Sequence, residues 1–413
     1  MAERQITVRC CIAGGGPAGM MLGLLLARAG VDVLVLEKHA DFLRDFRGDT
    51  IHPSTLEVMH ELGLLDALLR LPHQKIPRFA ARIADRDVTI ADLSHLPVHC
   101  GFIAMMPQWD FLDFLAGEAK RYPGFSLRMN AEVSGLVERE QRIIGVRVKR
   151  EELPADLVIG ADGRHSTVRT AARLPAEEFG VPMDVLWFRL SRRPADPEQT
   201  MGIFGAGRIF ILLNRGDYWQ CGYVIGKGAN EEVRRRGLPW FRESIVKLLP
   251  WLADRVGELA DWEPIKLLTV RVDRLRQWYR PGLLCIGDAA HAMSPVGGVG
   301  INLAIQDAVA TANILARPLR EGAVSVEDLK AVQKRRDWPT RVTQRLQLTI
   351  QKQLIARALS AEESFTPPLF VRLLTAFPPL ARIPARLIGL GVRPEHVRTS
   401  AAAPARARPD TTG

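Results

Sequence analysis

Cysteine is scarce in this sequence, with five residues in 413, and two of them, Cys10 and Cys11, are adjacent in a stretch that reads as a strand. Alternation along a strand sends such neighbours to opposite faces. Five thiols do not make a disulfide framework, which argues against a secreted, stapled domain and for a reducing, cytoplasmic setting. The nine histidines show no paired metal-ligand spacing, so no metal is expected. Aromatics are only 7% of the chain and form no array with basic residues, so no nucleic-acid groove is expected. No uninterrupted apolar run approaches the roughly 20 residues needed to span a bilayer. The N-terminus enters a strand almost at once, which does not read as a signal peptide. No internal repeat is visible.

What is abundant is apolar and basic. Hydrophobic residues make up 47% of the chain, enough for a large core, read as one body with two lobes. The net charge is +10. That is either a solvated basic surface or an attraction for anionic ligands or an acidic membrane.

The first strand, Ile6 to Ala13, runs into Gly14-Gly15-Gly16-Pro17-Ala18-Gly19, and a helix follows from Met20 to about Ala29. A second buried strand, Val31 to Leu36, ends in Glu37 and Lys38. Strand, glycine loop, helix, strand and acid in this order form a dinucleotide site. Gly14 allows the tight turn, Gly16 lets a pyrophosphate approach the backbone, and Gly19 lets the helix pack on the sheet. Glu37 suits the two hydroxyls of an unphosphorylated adenosine ribose, hence FAD or NAD.

A second stretch organises the rest of the chain. The apolar run Gly282 to Ile286 reads as a strand, the loop from Gly287-Asp288 to Gly300 is rich in glycine and holds Pro295, and a helix begins at Ile301-Asn302. Its apolar face carries Ile301, Ile305, Ala308, Val309, Ala312 and Leu315. Asp288 can accept hydroxyl protons from a polyol, and the helix start favours negative charge.

Between the two lie a helix from Pro53 to about Leu69, a mixed region to Gly101, and Gln108 at the start of a helix that runs to about Arg121. Strands are expected at Leu127 to Glu138, Ile143 to Arg150 and Ala155 to Ile159, the last leading into Gly160-Ala161-Asp162-Gly163-Arg164. Alternating segments between Val185 and Ile225 suggest an inserted antiparallel sheet. A helical stretch spans about Glu231 to Arg255, and Thr269 to Val272 returns to the first lobe. The chain then turns helical from Val326 to Leu359, with a break expected at Trp338-Pro339. The segment Pro368 to Val392 mixes apolar residues with Arg372, Arg382 and Arg386. It reads as a terminal packing element or as a contact for a membrane surface or a partner. The tail from Arg398 is expected to be disordered.

The ordered set Gly14–Gly19 with Glu37, Gly160–Ser166 and Gly287–Asn302 resembles the class A flavoprotein monooxygenases, the p-hydroxybenzoate hydroxylase-like family, over about Ile6 to Arg320. The resemblance implies an α/β fold: a Rossmann-like, GR2-type FAD-binding domain with an inserted, mainly antiparallel β substrate domain and C-terminal helices. The expected division is 1–75, 101–172 and 266–325 for FAD, 76–100 and 173–265 for substrate, 326–397 helical, and 398–413 as tail. It implies FAD as cofactor, NADH or NADPH as co-substrate, and hydroxylation or epoxidation of an aromatic or polyketide-like small molecule by dioxygen through a flavin C4a-hydroperoxide.

Carried over residue by residue, the resemblance places Gly14, Gly16, Pro17, Ala18, Gly19 and Arg47 at the pyrophosphate. Glu37 and Lys38 fall at the adenosine end, and Val133 beside the adenine. Gln108 and Asp288 fall at the ribityl chain, Asp162 in the Asp-Gly motif, and Pro295 beside the isoalloxazine. Gly300, Ile301 and Asn302 fall at its N1–C2=O edge. Gly298-Val299-Gly300-Ile301-Asn302 departs from the Gly-Gln-Gly-Leu-Asn of the ubiquinone branch, which argues against a quinone precursor. No Trp-x-Trp-x-Ile-Pro motif is present, which argues against a halogenase. A reductase of isoprenoid double bonds and a non-catalytic FAD-binding protein are the competing readings. No catalytic base is assigned; His52, Arg189, Tyr218 and Tyr223 each read more readily as structural. The protein is expected as a monomer or a homodimer.

Overall fold

The computed structural model describes residues 8–43, 49–83, 86–361 and 366–402. Its centre is a mixed eight-stranded sheet. Strands β1 (Val8–Ala13), β2 (Val33–Leu36), β3 (Phe125–Arg128), β4 (Glu151–Gly160) and β5 (Leu283–Cys285) are mutually parallel, in the order β5-β4-β1-β2-β3. Ala13, Leu36, Gly160 and Cys285 lie in register at one edge. Every loop leaving these strands therefore starts from the same side, where ligands bind in open α/β sheets. Cys10 and Cys11 are fully buried in β1, the middle strand, and all five cysteines are free.

Helix α1 (Pro17–Arg28) packs between α2 (Gln108–Ala119) and α3 (Gly300–Glu321). By length and composition α3 could cross a membrane, a property the unbroken-run criterion missed. However, 78% of its apolar window is buried in this fold, so it is a core helix. The hairpin Val133–Arg139 and Arg142–Val148 extends from β4, and Asn130, at φ 54°, separates β3 from it where one strand was expected.

The second sheet has seven strands, in the order Lys266–Leu268, Met183–Ser191, Tyr218–Gly226, Arg208–Asn214, Met201–Gly205, Arg78–Ile83, Arg86–Asp92. Only the contact between Met201–Gly205 and Arg78–Ile83 is parallel. One face packs Phe188, Phe210, Trp219 and Tyr223 against Phe241 of the helix Leu238–Leu248. The other packs Val185, Trp187, Ile209 and Val224 against Leu354, Ile355 and Ala358 near the C-terminus, with Val296 of the second glycine loop alongside.

Several boundaries differ from the sequence reading. Lys266–Leu268 pairs with Met183–Ser191, so the division set at 266 moves past residue 268. Val272–Leu275 pairs with Ala176–Phe179 in a separate two-stranded ribbon, and Leu275 packs in the core of the first lobe. The stretch from Glu231 splits at Gly237, where φ is 86°. Helix α4 (Val326–Ile350) runs straight through Pro339. An internal proline costs about 3 kcal/mol. Here the buried face around it is tied down by Arg336, Gln344 and Gln347, and these bonds offset that cost. Residues 399–402, expected in the tail, are held in place: the Arg28 side chain donates to the Thr399 carbonyl and the Ala402 N–H donates to the Arg28 carbonyl, which fixes them against α1.

Candidate functional site

Three loops converge at the aligned strand ends. A Cβ on Gly14, whose φ is +107°, would sit 2.3 Å from the Ala161 carbonyl oxygen. One on Gly287 would sit 3.1 Å from the Ala18 Cβ and 3.3 Å from that of Ala304. The motifs around residues 14, 161 and 287 are thus in direct contact although the chain separates them widely.

The first loop forms an anion cradle. A Cβ on Gly19 would meet the Gly14 carbonyl oxygen at 1.9 Å, so Gly19 is required by packing. Gly16 is different: a Cβ there would meet no protein atom within 4 Å. Nothing in the protein demands glycine at 16, and the space a side chain would take there lies open. Pro17 opens α1 and no side chain caps it, so the Ala18 and Gly19 N–H groups, which have no intrahelical acceptor, face the cradle. The Glu37 carboxylate accepts the Gly15 N–H at 2.9 Å and the His39 N–H at 3.1 Å. Lys38 is exposed beside it. The Ala131 N–H donates to the Glu37 carbonyl, which brings Val133 to the same end of the site. Arg47 lies outside the described residues.

The second and third loops carry the other candidates. Asp162 accepts the Ser166 hydroxyl at 2.5 Å and the Val168 N–H at 3.1 Å. Its carboxylate thus secures the start of the helix Thr167–Ala171, and burial pushes its pKa up. Asp288 lies 3.7 Å from Arg164 of the second loop. Pro295 is exposed and opens the turn Val296–Gly298. Gly298, at φ +63°, packs on Thr50, which donates to the Gly298 carbonyl at 2.9 Å. No side chain caps α3, so the N–H groups of Gly300, Ile301 and Asn302 face the site like those of α1. The Asn302 side chain is consumed internally. It accepts from the His52 N–H and the Thr55 hydroxyl, both at 2.8 Å, and donates to the carbonyls of Thr50 and Gly298. His52 is buried, and that burial lowers its pKa to about 4, so it is a neutral core residue. Tyr223 lies in the aromatic cluster on the far face of the second sheet.

The supports of the third loop were not legible in the sequence. Gln344, Gln347 and Gln351 share the buried face that begins on α4. Gln344 donates to the carbonyls of Asp273 and Ala292. Gln347 donates to the carbonyls of Ser294 at 3.0 Å and Val296 at 2.7 Å, and accepts the Ser294 N–H at 3.3 Å. Gln351 bonds the Ser294 hydroxyl. Upstream, fully buried Asp307 accepts the Gly287 N–H at 3.0 Å, His291 Nε2 at 2.6 Å and Arg336 Nε at 2.9 Å. Burial alone would raise its carboxyl pKa; His291 and Arg336 outweigh that and hold it below the usual range. The hint the sequence offers is the recurrence of Gln344, Gln347 and Gln351 at helical spacing.

Replacing Gln347 with leucine keeps the volume and strands two carbonyls and an N–H. A loss of about 2–4 kcal/mol of stability is expected, read as a lower melting temperature. If the loop stays put without this clamp, the melting temperature will not move.

A small cavity lies between the two sheets, lined by Asp49, Pro107, Trp109, Arg189, Arg215, Tyr218 and Gln220. The Gln108 N–H points at Asp49 from the start of α2. Arg215 pairs with Asp49 and donates from Nε to Gln220 at 3.1 Å. The Arg189 guanidinium stands 5.0 Å over the Tyr218 ring. Burial pushes Asp49 up to about 6 against the pull of Arg215. Among the described residues no cluster of His, Cys, Asp and Glu is arranged to hold a metal.

Comparison with known proteins agrees with this arrangement. A family profile described as "FAD binding domain" matches residues 7–346. The chain is 33% identical over 354 residues to a 6-methylpretetramide 4-monooxygenase of Streptomyces rimosus, covering 84% of each chain. It is 28% identical to a flavin-dependent monooxygenase of Mycobacteroides abscessus, covering 72% of this chain and 65% of that one. Its fold matches that of pqsL, a probable FAD-dependent monooxygenase from Pseudomonas aeruginosa, with a TM-score of 0.73 at 21% identity, over 86% of this chain and 98% of the other.

Proposed function

The chain belongs to the FAD-binding domain family and is a FAD-dependent monooxygenase; from that premise we propose that it hydroxylates a polycyclic aromatic, polyketide-like small molecule with NADH or NADPH as reductant. The observation that carries this reading is the meeting of three glycine-bearing loops at one sheet edge, beside a cleft into which a second sheet presents Arg189, Tyr218 and Gln220. The relative from Streptomyces rimosus, named for a polycyclic substrate, supports the substrate class. Five buried free cysteines suit the cytoplasm, where the reductant is supplied.

In this assignment the α1 start with Gly14, Gly16 and Gly19 holds the pyrophosphate, and Glu37 the adenosine ribose, with Lys38 and Val133 at the adenine end. Gln108 and Asp288 take the ribityl chain, Asp162 fixes the intervening loop, and Pro295 and Gly300 to Asn302 flank the ring. Reduced FAD supplies the electrons that let dioxygen divide between product and water. With FAD bound, the uncapped α3 start would favour negative charge beside it by up to ~2 kcal/mol. The Gln347 clamp holds the loop beside it.

The deciding experiment follows NADH and NADPH oxidation, oxygen uptake and product mass together over phenolic and polycyclic compounds. Oxygen consumed in step with an oxygenated product is expected. Substrate-dependent oxidation without oxygen uptake points to a double-bond reductase, and bound flavin with no stimulated oxidation points to a binding protein. Asp288→Ala should weaken FAD binding by about tenfold through loss of one charge-assisted bond. Unchanged flavin content would remove Asp288 from that role.

Asp49 sets a pH limit. Above about 6 it is a carboxylate and holds Arg215 across the cleft; below, it protonates and lets go. Turnover should therefore fall as pH drops through about 6, and Asp49→Asn should abolish that limb of the profile. Because its folded value is raised, the group favours the folded state below the ordinary carboxylate range and gives that stability up as pH rises through about 6. An unchanged profile in Asp49→Asn excludes this group.

A further inference from the structure

Near the C-terminus the chain turns an apolar surface outward. Helices α5 (Leu369–Ala376) and α6 (Arg382–Gly389), joined by the turn Pro378–Ala381, pack on the strand Arg86–Asp92. Val371, Ala381 and Ala385 are buried on the inner side, and Gly389 packs on Leu93, Leu96 and Pro53. At the helical turn of about 100° per residue, Leu369, Phe370 and Leu373 share one arc, opposite Val371, and Phe377 follows at the helix end. Leu369 is 67% exposed, Phe377 60% and Ile383 62%, with Phe370, Leu373 and Leu380 beside them. Single exposed leucines are ordinary, but six large apolar side chains on successive turns form a patch of the kind that marks an interaction site.

The surrounding charge selects the occupant. Residues 366–394 contain Arg372, Arg382, Arg386 and Arg393 and no Asp, Glu or Lys. All four arginines are exposed, and none is paired with a carboxylate among the described residues; Arg382 touches only His95. Asp92, on the strand beneath, is already bonded to Arg78 and Ser94. A second copy placed on this face by a two-fold axis would set arginines against arginines with no acid between them. A lipid surface provides both complements, with acyl chains under the leucines and phenylalanines and phosphates at the rim. We propose that this face docks the protein peripherally on an anionic bilayer, with α5 and α6 lying in the interface plane. The proposal rests on exposure and charge alone and stands apart from the substrate assignment.

The test is sedimentation of the FAD-loaded protein with vesicles of phosphatidylcholine, with and without phosphatidylglycerol. Binding to the anionic vesicles, lost at high salt, is expected. Arg372→Gln with Arg382→Gln and Arg386→Gln should reduce partitioning by about fivefold per arginine, on the order of 100-fold together. Leu369→Ser with Phe377→Ser and Ile383→Ser should reduce it at least about tenfold. Because these side chains are exposed, flavin content and melting temperature should hold in both variants, which separates loss of docking from loss of fold. No binding, equal binding to neutral and anionic vesicles, or a dimer in light scattering that the serine variant dissociates would each overturn the proposal.

Discussion

Gly16→Val is expected to leave the apoprotein folded and to weaken FAD binding by roughly two orders of magnitude. Gly16 caps α1 with φ −73° and ψ −175°, an extended conformation that valine adopts freely. Its Cβ would meet no protein atom within 4 Å, so the apoprotein should lose less than about 0.5 kcal/mol, as at other uncrowded surface sites. The branched side chain would stand between the α1 N–H groups and the pyrophosphate. What is lost is the charge–dipole attraction of up to ~2 kcal/mol and a charge-assisted hydrogen bond of about 1.5–3 kcal/mol. Flavin titration of the apoprotein measures the change. Gly19→Ala is the contrasting control, since its Cβ would lie 1.9 Å from the Gly14 carbonyl oxygen and the helix itself must move. That variant should lose stability with or without flavin. If Gly16→Val binds FAD normally, the pyrophosphate does not lie on this loop.

Arg336→Met should be the most destabilising of the substitutions considered, by about 3–5 kcal/mol, the cost of leaving a buried charge without its partner. Arg336 is 1% exposed and bonds Asp307 at 2.9 Å and Glu395 at 3.3 Å, both buried. Methionine fills much of the space but leaves two carboxylates facing a cavity with less positive charge. Because Asp307 also holds the Gly287 N–H and His291, flavin content should fall along with the melting temperature. Asp307 is held below its usual range, so its contribution to stability is present above the ordinary carboxylate pKa and is lost as pH falls through the folded value. The wild-type margin over Arg336→Met should accordingly shrink in acid. Adding Asp307→Asn to Arg336→Met should recover part of the loss, because one stranded charge is then removed. Additive losses in the double variant would show that the two residues act independently.

The local pattern carried much of the site. Gly14 to Gly19, Glu37 and Gly287 to Asn302 were legible because strand ends, glycine turns and helix starts are properties of a few consecutive residues. Strand boundaries were less secure: Lys266–Leu268 was grouped with residues 266–325, yet it pairs with Met183–Ser191, because pairing depends on a neighbour some 80 residues away, as Val185↔Leu268 shows. The expected break at Pro339 failed for the same reason, since the bonds that anchor the continuous helix α4 reach other parts of the chain.

By itself, the sequence determined that a strand, a glycine turn and a helix follow one another at Gly14 to Gly19, and that a second glycine-rich loop leads into an uncapped helix. Only the tertiary structure decided how that second loop is held and what faces it. The Gln347 contacts with Ser294 span 53 residues, and the pairing of Arg215 with Asp49 spans 166. Short-range order follows from backbone sterics and periodicity, which neighbouring residues specify. A buried hydrogen bond between distant segments depends on where the whole core places them, and no window of sequence contains that information.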